Sequence, residues 1–187
     1  MTDVDRPASP PVEVADEDGY QEAWEEEAEW RGPGIRRWWG WAAFVLSVAG
    51  FGDSLYLTVE HFTGSVPICA ATGIIDCTKV TTSPQSEVFG IFPVSLLGLL
   101  FFTGMLAVNL PPLWRRGGEL GRWLSWARLA MVVVGIGMVI YLISAELFSI
   151  KAICLWCTGV HIVTFLLFVL VVATFPTMVS SVGVEPD

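Results

Sequence analysis

Charged residues are scarce in this chain once its first thirty positions are passed. Eleven of the nineteen acidic residues lie between Asp3 and Glu29, where Arg6 is the one basic residue. With so little to bury, residues 1–34 are predicted to be a disordered acidic tail, either a solubilising extension or a binding segment for a basic partner. The chain as a whole is 53% hydrophobic with a mean hydropathy of +0.61, which excludes an ordinary soluble domain and indicates an integral membrane protein.

The sequence also lacks internal repeats and the alternating pattern of a membrane β-barrel, so helices are the spanning elements that remain. About twenty apolar residues cross the hydrocarbon, and four nearly uncharged runs have about that length. These runs are 38–59, a stretch within 88–114 that begins near Pro93, 126–148 and 153–175. We therefore predict an all-α bundle of four transmembrane helices over 35–178 and a short tail over 179–187. The first run is long for a signal peptide and is interpreted as a retained helix.

Basic residues are few, and their positions predict the orientation. Most of the arginines flank the first run or the loop between the second and third: Arg31, Arg36, Arg37, Arg115, Arg116, Arg122 and Arg128. The other two loops contain one lysine each, Lys79 and Lys151. The positive-inside rule then places both termini in the cytoplasm and all cysteines on the opposite, oxidising side, where disulfides persist.

Cysteine is rare as well, and its four occurrences form two pairs beside apolar runs. Cys154 and Cys157 are three positions apart, so they share one helical face and can form a readily exchanged disulfide. Cys69 and Cys77 form a more open pair in a polar segment. Free cysteines also serve as small apolar residues in helices, but this chain has none elsewhere. The pattern predicts thiol redox chemistry at a membrane surface.

The outer loop, residues 60–92, is long for a four-helix bundle and is expected to carry function. Its second half is predicted to be a short surface helix, in which Thr82 or Ser83 caps the start, Pro84 occupies the first turn and Gly90 ends it. The helix would either cap the outer mouth of the bundle or serve as an amphipathic connector. Its apolar residues are Val88, Phe89, Ile91 and Phe92.

Taken together, these features resemble the vitamin K epoxide reductase family, in its bacterial quinone-linked, disulfide-forming branch. The features that carry the resemblance are the four helices, the loop pair Cys69 and Cys77, the surface helix, and the pair Cys154 and Cys157 at the outer start of the last helix. The resemblance covers about 38–175 and leaves the acidic tail outside. Both cysteine spacings, their order and their membrane side agree with the family.

The resemblance implies a role for each cysteine. Cys157 would react with the quinone, Cys154 would exchange with the loop through Cys77, and Cys69 would meet the external thiol. Electrons would pass from a thioredoxin-like extracytoplasmic protein to menaquinone or a related quinone in a bacterial cytoplasmic membrane. The expected partners are therefore that protein, the quinone and membrane lipid, with no nucleic acid.

Two positions depart from the family pattern in the expected quinone site. Val94 stands where many relatives have an asparagine, and Ser95 is a partial substitute. His161 replaces a family tyrosine and lies one helical turn after Cys157, on the same face. His161 would donate to a quinone oxygen or supply a proton, unless it is only a packed side chain. Phe89 completes the expected quinone contacts.

Asp53 interrupts the first apolar run. A charge at mid-bilayer costs about 2.5–3.5 kcal/mol on insertion scales, so this residue should face the bundle interior. It is either part of a proton route towards the quinone or a local hydrogen-bonding group, with Ser54 and Tyr56 near enough to solvate it. The other polar residues near outer helix ends are expected to be interfacial: Glu60, His61 and Glu146.

Two other functions fit this sequence less well than thiol redox chemistry. A metal-binding or structural site made by the four thiols is disfavoured, because zinc sites pair short cysteine knuckles and one pair here has seven intervening residues. We therefore expect no metal. A transporter that moves electrons outward from a cytosolic thiol protein would need a cysteine on the cytoplasmic side, and the predicted orientation provides none.

Overall fold

The computed structural model describes residues 33–180 except 66, 70, 71, 89, 90 and 117, and the side chains of 33–37, 88 and 180 are also outside the description. The described residues from Arg36 onward form one compact unit. Nearly all of the predicted acidic tail and most of the C-terminal tail lie outside the described residues. The predicted division into 1–34, 35–178 and 179–187 therefore stays a prediction.

Helices make up most of the described chain. The α-helices are α1 (Pro33–Thr63), α2 (Cys77–Thr81), α3 (Val94–Val108), α4 (Gly118–Ser144) and α5 (Leu155–Ser180). Two 3₁₀ turns cover Pro84–Ser86 and Pro111–Arg115, and a π-helical turn, Ala145–Ile150, continues α4. Strands β1 (Glu87–Val88) and β2 (Phe92–Pro93) form a small antiparallel hairpin.

Three helical segments of the described chain are long and apolar enough to cross a membrane, which confirms the all-α membrane class. They are Trp38–Thr63, Gly118–Ile150 and Leu155–Val179. The shorter apolar helix α3 has 15 residues, which at 1.5 Å per residue extend about 22 Å of the roughly 30 Å hydrocarbon thickness. The predicted count of four spans is therefore not settled by helix length.

Small residues allow α1, α3 and α4 to pack closely. A Cβ atom at Gly50 would overlap the ring of Phe102, and one at Gly135 would lie 2.9 Å from Phe101. Close approach at small residues is a main source of helix association in lipid, where apolar burial alone gives no preference for protein over lipid. The buried core that results consists of Ala43, Phe102, Met105, Trp114, Val132, Leu167, Leu170 and Val171.

A buried arginine holds the end of α3 that lies away from the cysteines. Arg128, on α4, donates from Nε and Nη2 to the carbonyl of Val108 at 3.0 and 2.6 Å. Its guanidinium lies 4.6 Å from the ring centroid of Trp114. Arg128 thereby satisfies a helix-terminal carbonyl that has no partner within the helix, and it ties α3 to α4.

The predicted surface helix is mostly replaced by the hairpin. Ser83 and Pro84 start a helical turn as expected, but that turn ends at Ser86, and the chain then pairs Glu87 with Pro93. The hairpin satisfies backbone groups that a helix would otherwise have used. Ser83 occupies the cap position, but its hydroxyl makes no capping bond and donates to the carbonyl of Val80 at 2.7 Å, while the Thr82 hydroxyl donates to the carbonyl of Thr78 at 2.8 Å. Phe89 and Gly90 lie outside the described residues.

Candidate active site

The two loop cysteines are joined to each other. Cys69 and Cys77 form a disulfide whose Cα atoms are 6.1 Å apart. Cys77 is the buried first residue of α2, and Asp76 caps that helix by accepting from the backbone N–H of Lys79 at 3.0 Å. The capping aspartate, overlooked in the sequence, therefore places the helix beside the cysteine rather than farther along the loop.

The second pair is reduced and lies at the start of α5. Cys154 immediately precedes the helix, is fully buried and accepts from the backbone N–H of Cys157 at 3.3 Å through its Sγ. That N–H is one of the four at a helix start that have no partner within the helix. The sulfur of Cys154 thus occupies the position of a capping side chain.

The environment of Cys154 favours its thiolate form. A hydrogen bond from the Cys157 side chain lowers the pKa of Cys154 below the usual thiol value, and backbone hydrogen bonds from Cys157 and Trp156 act in the same direction. Burial and the nearby Glu146 carboxylate oppose the change without reversing it. Since the thiolate is the nucleophile in disulfide exchange, Cys154 is suited to bond with a loop sulfur.

All four cysteines belong to one cluster. Cys77 and Cys154 are buried in it, and Cys69 and Cys157 pack against it as half-buried members. The apolar residues of this cysteine cluster are Val80, Ile150 and Ala152. Exchange between two pairs requires a sulfur of one to reach a sulfur of the other. The fold therefore brings together two cysteine pairs that are about eighty residues apart in the sequence.

Backbone hydrogen bonds fasten the loop to the start of α5. The N–H of Asp76 donates to the carbonyl of Ile153 at 3.1 Å, and the N–H of Ile153 donates to the carbonyl of Ile74 at 2.9 Å. Ile75 and Ile153 form an isolated parallel bridge. These bonds hold the residue before Cys77 against the residue before Cys154, which sets the register between the two pairs.

A cavity of about 720 Å³ adjoins the cysteine cluster. Cys157 and His161 line it from α5, and Val94 and Ser95 line it from the start of α3, whereas Cys154 is not part of its lining. Much of the remaining wall is apolar, including Leu97, Phe101, Val134, Met138 and Val139. Its volume lies in the usual range for small-molecule sites, about 300–1,000 Å³. Cys157 therefore connects the cluster to a site of ligand size.

Two buried polar atoms of the cavity-lining residues have no hydrogen-bond partner in the part of the chain that the structure describes. Ser95 Oγ and Glu60 Oε2 are buried without a hydrogen bond to the described residues. Buried polar atoms of this kind call for a partner, such as water or a ligand. Glu146 is 6% exposed and also lines the cavity, as does His61. The prediction that Glu60, His61 and Glu146 are merely interfacial was wrong, because the π-helical turn and the end of α1 both face the cavity.

Asp53 lies outside the cavity lining and against α5. A Cβ atom on Gly159 would be 2.7 Å from its Oδ2, and its Oδ1 makes no hydrogen bond to the described residues. No hydrogen bond joins Asp53 to Ser54 or Tyr56 in the described structure, and the Tyr56 hydroxyl accepts from the N–H of Ile68. The Asp53 carboxylate nevertheless faces the bundle interior, because it lies beside Gly159, which follows Cys157 by two positions on α5.

The residues predicted from sequence as one site are thus largely gathered by the fold. The residues that share the cavity are Cys157, His161, Val94 and Ser95, whereas Asp53 is not in its lining and Phe89 is outside the described residues. Among the residues that the structure describes, no group of three or more His, Cys, Asp or Glu side chains is placed to hold a metal ion.

Comparison with known proteins agrees with the cysteine pattern. The model of the vitamin K epoxide reductase family matches residues 41–172, which is well over half of the chain and includes all four cysteines. Comparison with individual curated proteins gives no match.

Proposed function

Because this chain belongs to the vitamin K epoxide reductase family, a family of membrane thiol oxidoreductases, we propose that it transfers electrons from a thioredoxin-like protein to a quinone. The two cysteine pairs carry the electrons in sequence. The quinone is menaquinone or a related compound, and the product released outward is a protein disulfide. The activity supports disulfide bond formation outside the cytoplasm.

The main support for this proposal is that Cys157 contacts both the cysteine cluster and the cavity. It packs against the cysteine cluster and is also the one cysteine in the lining of the described cavity. The outer pair, by contrast, is confined to the loop that faces Cys154. A relay from the loop to the cavity therefore has one connecting residue, Cys157.

The cavity suits a quinone ring. A quinone is flat and apolar with two carbonyl acceptors, and when bound it takes up two electrons and two protons. The largely apolar wall accommodates such a ring, and Ser95 Oγ is a buried hydroxyl with no partner among the described residues. Ser95 and His161 are the groups that we propose donate to the carbonyl oxygens. Val94 contributes an apolar contact, and Phe89 a further proposed one.

The oxidation states of the two pairs fit one stage of this relay. Electrons arriving from the protein partner reduce the loop disulfide, and the Cys77 thiolate then attacks Cys154 of an oxidised inner pair, releasing the Cys157 thiolate. Cys69 next attacks Cys77 and releases Cys154. The outcome is an oxidised loop pair and a reduced inner pair, the combination found in the structure.

Trapping of the intermediate tests this order. Removing Cys69 or Cys157 by alanine substitution leaves Cys77 and Cys154 without their usual partners, so a Cys77–Cys154 disulfide should accumulate. Non-reducing peptide mapping measures it, with the wild-type protein as the control. A Cys69–Cys154 link would show that the two loop cysteines have the opposite roles.

We also propose that Asp53 belongs to a proton route to the cavity, because its Oδ2 lies beside Gly159 and its buried Oδ1 makes no hydrogen bond to the described residues. Asp53→Asn should slow quinone reduction by about tenfold and alter its pH profile, an effect smaller than the ~10²–10⁴ of a direct general acid or base. Steady-state rates across pH measure this, with Glu119→Gln, at an exposed position, as the control. A loss of thermal stability with an unchanged pH profile would assign Asp53 to structure alone.

The proposed orientation places both termini in the cytoplasm, α3 across the membrane as the second span, and the cysteine pairs outside. Its support is the distribution of arginine together with the location of both pairs at one end of the long helices. Thiol labelling of reduced protein from each side of sealed vesicles tests it. Labelling from the cytoplasmic side would contradict the orientation and favour outward electron transport.

The central experiment is anaerobic mixing of a reduced thioredoxin-like protein with this protein and menaquinone. Quinone absorbance should fall while the thiol partner becomes oxidised, with one quinone consumed for each disulfide formed. Absence of quinone consumption together with stoichiometric zinc in the purified protein would favour the metal-binding alternative. A four-thiolate metal site requires four free sulfurs, and Cys69 and Cys77 are bonded to each other.

A further inference from the structure

Two aromatic side chains hold the backbone of the residue before Cys69. The N–H of Ile68 donates to the hydroxyl of Tyr56, on α1, at 3.1 Å. The indole N–H of Trp156, on α5, donates to the carbonyl of Ile68 at 3.0 Å. The rings of Tyr56 and Trp156 also contact each other, with centroids 4.6 Å apart.

The two ends of the loop disulfide are held in different ways. The Cys77 end of the disulfide is fastened by the bonds of Asp76 and Ile153 and by α2. For Pro67, Ile68 and Cys69, the two side-chain bonds are the only hydrogen bonds of the backbone to described residues. Among the described residues, Tyr56 and Trp156 therefore supply the hydrogen bonds that hold the backbone before Cys69, in addition to the disulfide and the packing of Cys69 against the cysteine cluster.

We propose that Tyr56 and Trp156 are positioning residues that keep Cys69 within reach of Cys77 after the loop disulfide has been opened. This inference rests on the proposed relay and concerns its second exchange. In that step, the Cys69 thiolate attacks Cys77 Sγ in the Cys77–Cys154 disulfide. The Cys69–Cys77 bond forms, the Cys77–Cys154 bond breaks, and Cys154 leaves as the thiolate with the electron pair. No outside oxidant or reductant is consumed.

The location of Trp156 strengthens the argument. It lies between Cys154 and Cys157 in the sequence, so the helical turn that carries the inner pair also holds the outer segment. Ile68 is 85% exposed, so the aromatic pair holds its backbone without covering the residue. We expect a protein thiol to approach Cys69 while the segment stays in place.

A single-turnover experiment tests the role of Tyr56. Both cysteine pairs are first oxidised chemically, reduced thioredoxin-like protein is added without quinone, and samples are quenched with acid and alkylated. In Tyr56→Phe, which keeps the ring and loses the hydroxyl, the Cys77–Cys154 disulfide should accumulate about three- to tenfold above wild type, the effect expected from one hydrogen bond. Trp156→Phe should change it in the same direction.

Tyr141→Phe is the matched control, because Tyr141 is 55% exposed on α4, and it should behave as wild type. Quinone reduction driven by a small dithiol should be unchanged in Tyr56→Phe, since that reductant reaches the inner pair without Cys69. Wild-type levels of the Cys77–Cys154 disulfide in both aromatic variants would overturn the proposal. It would also be overturned if Tyr56→Phe lost quinone reduction equally with the small dithiol and with the protein partner. Failure of wild-type protein to reduce quinone would instead contradict the proposed acceptor and leave this exchange measurement interpretable.

Discussion

Cys157→Ala should reduce quinone consumption to background, whether electrons come from a protein partner or from a small dithiol. Cys157 is the one cysteine that lines the described cavity, and it also contacts the cysteine cluster. Without it, Cys154 has no thiol with which to form the inner disulfide, and no sulfur faces the bound acceptor. Anaerobic quinone absorbance with each reductant is the measurement.

Cys69→Ala provides the matched comparison for that result. It should block oxidation of the protein partner and leave the small-dithiol reaction largely intact, because a small reductant reaches the Cys154–Cys157 disulfide without the loop. The two variants together separate the outer pair from the inner pair. Quinone reduction near the wild-type rate in Cys157→Ala would show that the inner pair is wrongly assigned.

His161→Phe should weaken quinone use by about ten- to a hundredfold. His161 is 6% exposed and lines the cavity, and the side chain of Val94, which also lines it, has no polar atom. A buried carbonyl that loses its donor costs about 1–3 kcal/mol, and each 1.4 kcal/mol is a factor of ten. Steady-state kinetics against quinone concentration, in detergent and at matched thermal stability, measure the effect.

His161→Tyr is the control for this prediction. Tyrosine restores a donor of similar reach and is the residue that the family resemblance leads us to expect here, so much of the activity should remain. Reduction of the Cys154–Cys157 disulfide by a small dithiol should stay near normal in both variants, since that reaction needs no quinone. Equal and unchanged apparent quinone affinity in the Phe and Tyr forms would make His161 a packing residue.

The location of the cavity-lining carboxylates could not be predicted from the local sequence. Glu60 and Glu146 were expected at the interface because each lies near an outer helix end. Whether such a residue faces lipid, water or a cavity depends on the rotation of its helix, and the π-helical turn at Ala145–Ile150 changes that rotation for Glu146. A carboxylate within an otherwise apolar run was the signal that might have placed it inside.

The surface segment before α3 illustrates a second limit. Ser83 and Pro84 correctly marked the start of a helical turn, because proline favours the first position of a helix. That turn ends where Glu87 pairs with Pro93, and rules for helix caps do not predict such a pairing. Hairpin pairing competes with helix extension for the same backbone groups.

The amino-acid sequence by itself determined the membrane class, the helical composition and the family of this protein. Long apolar runs require helices in lipid, and the spacing of two cysteine pairs is a local property that can be read without a fold. Only the tertiary structure decided that Cys157 lines a cavity and that Tyr56 and Trp156 hold the segment before Cys69. Those relations join residues from separate helices, and they depend on helix rotation and loop register, which side-chain packing sets between distant parts of the chain.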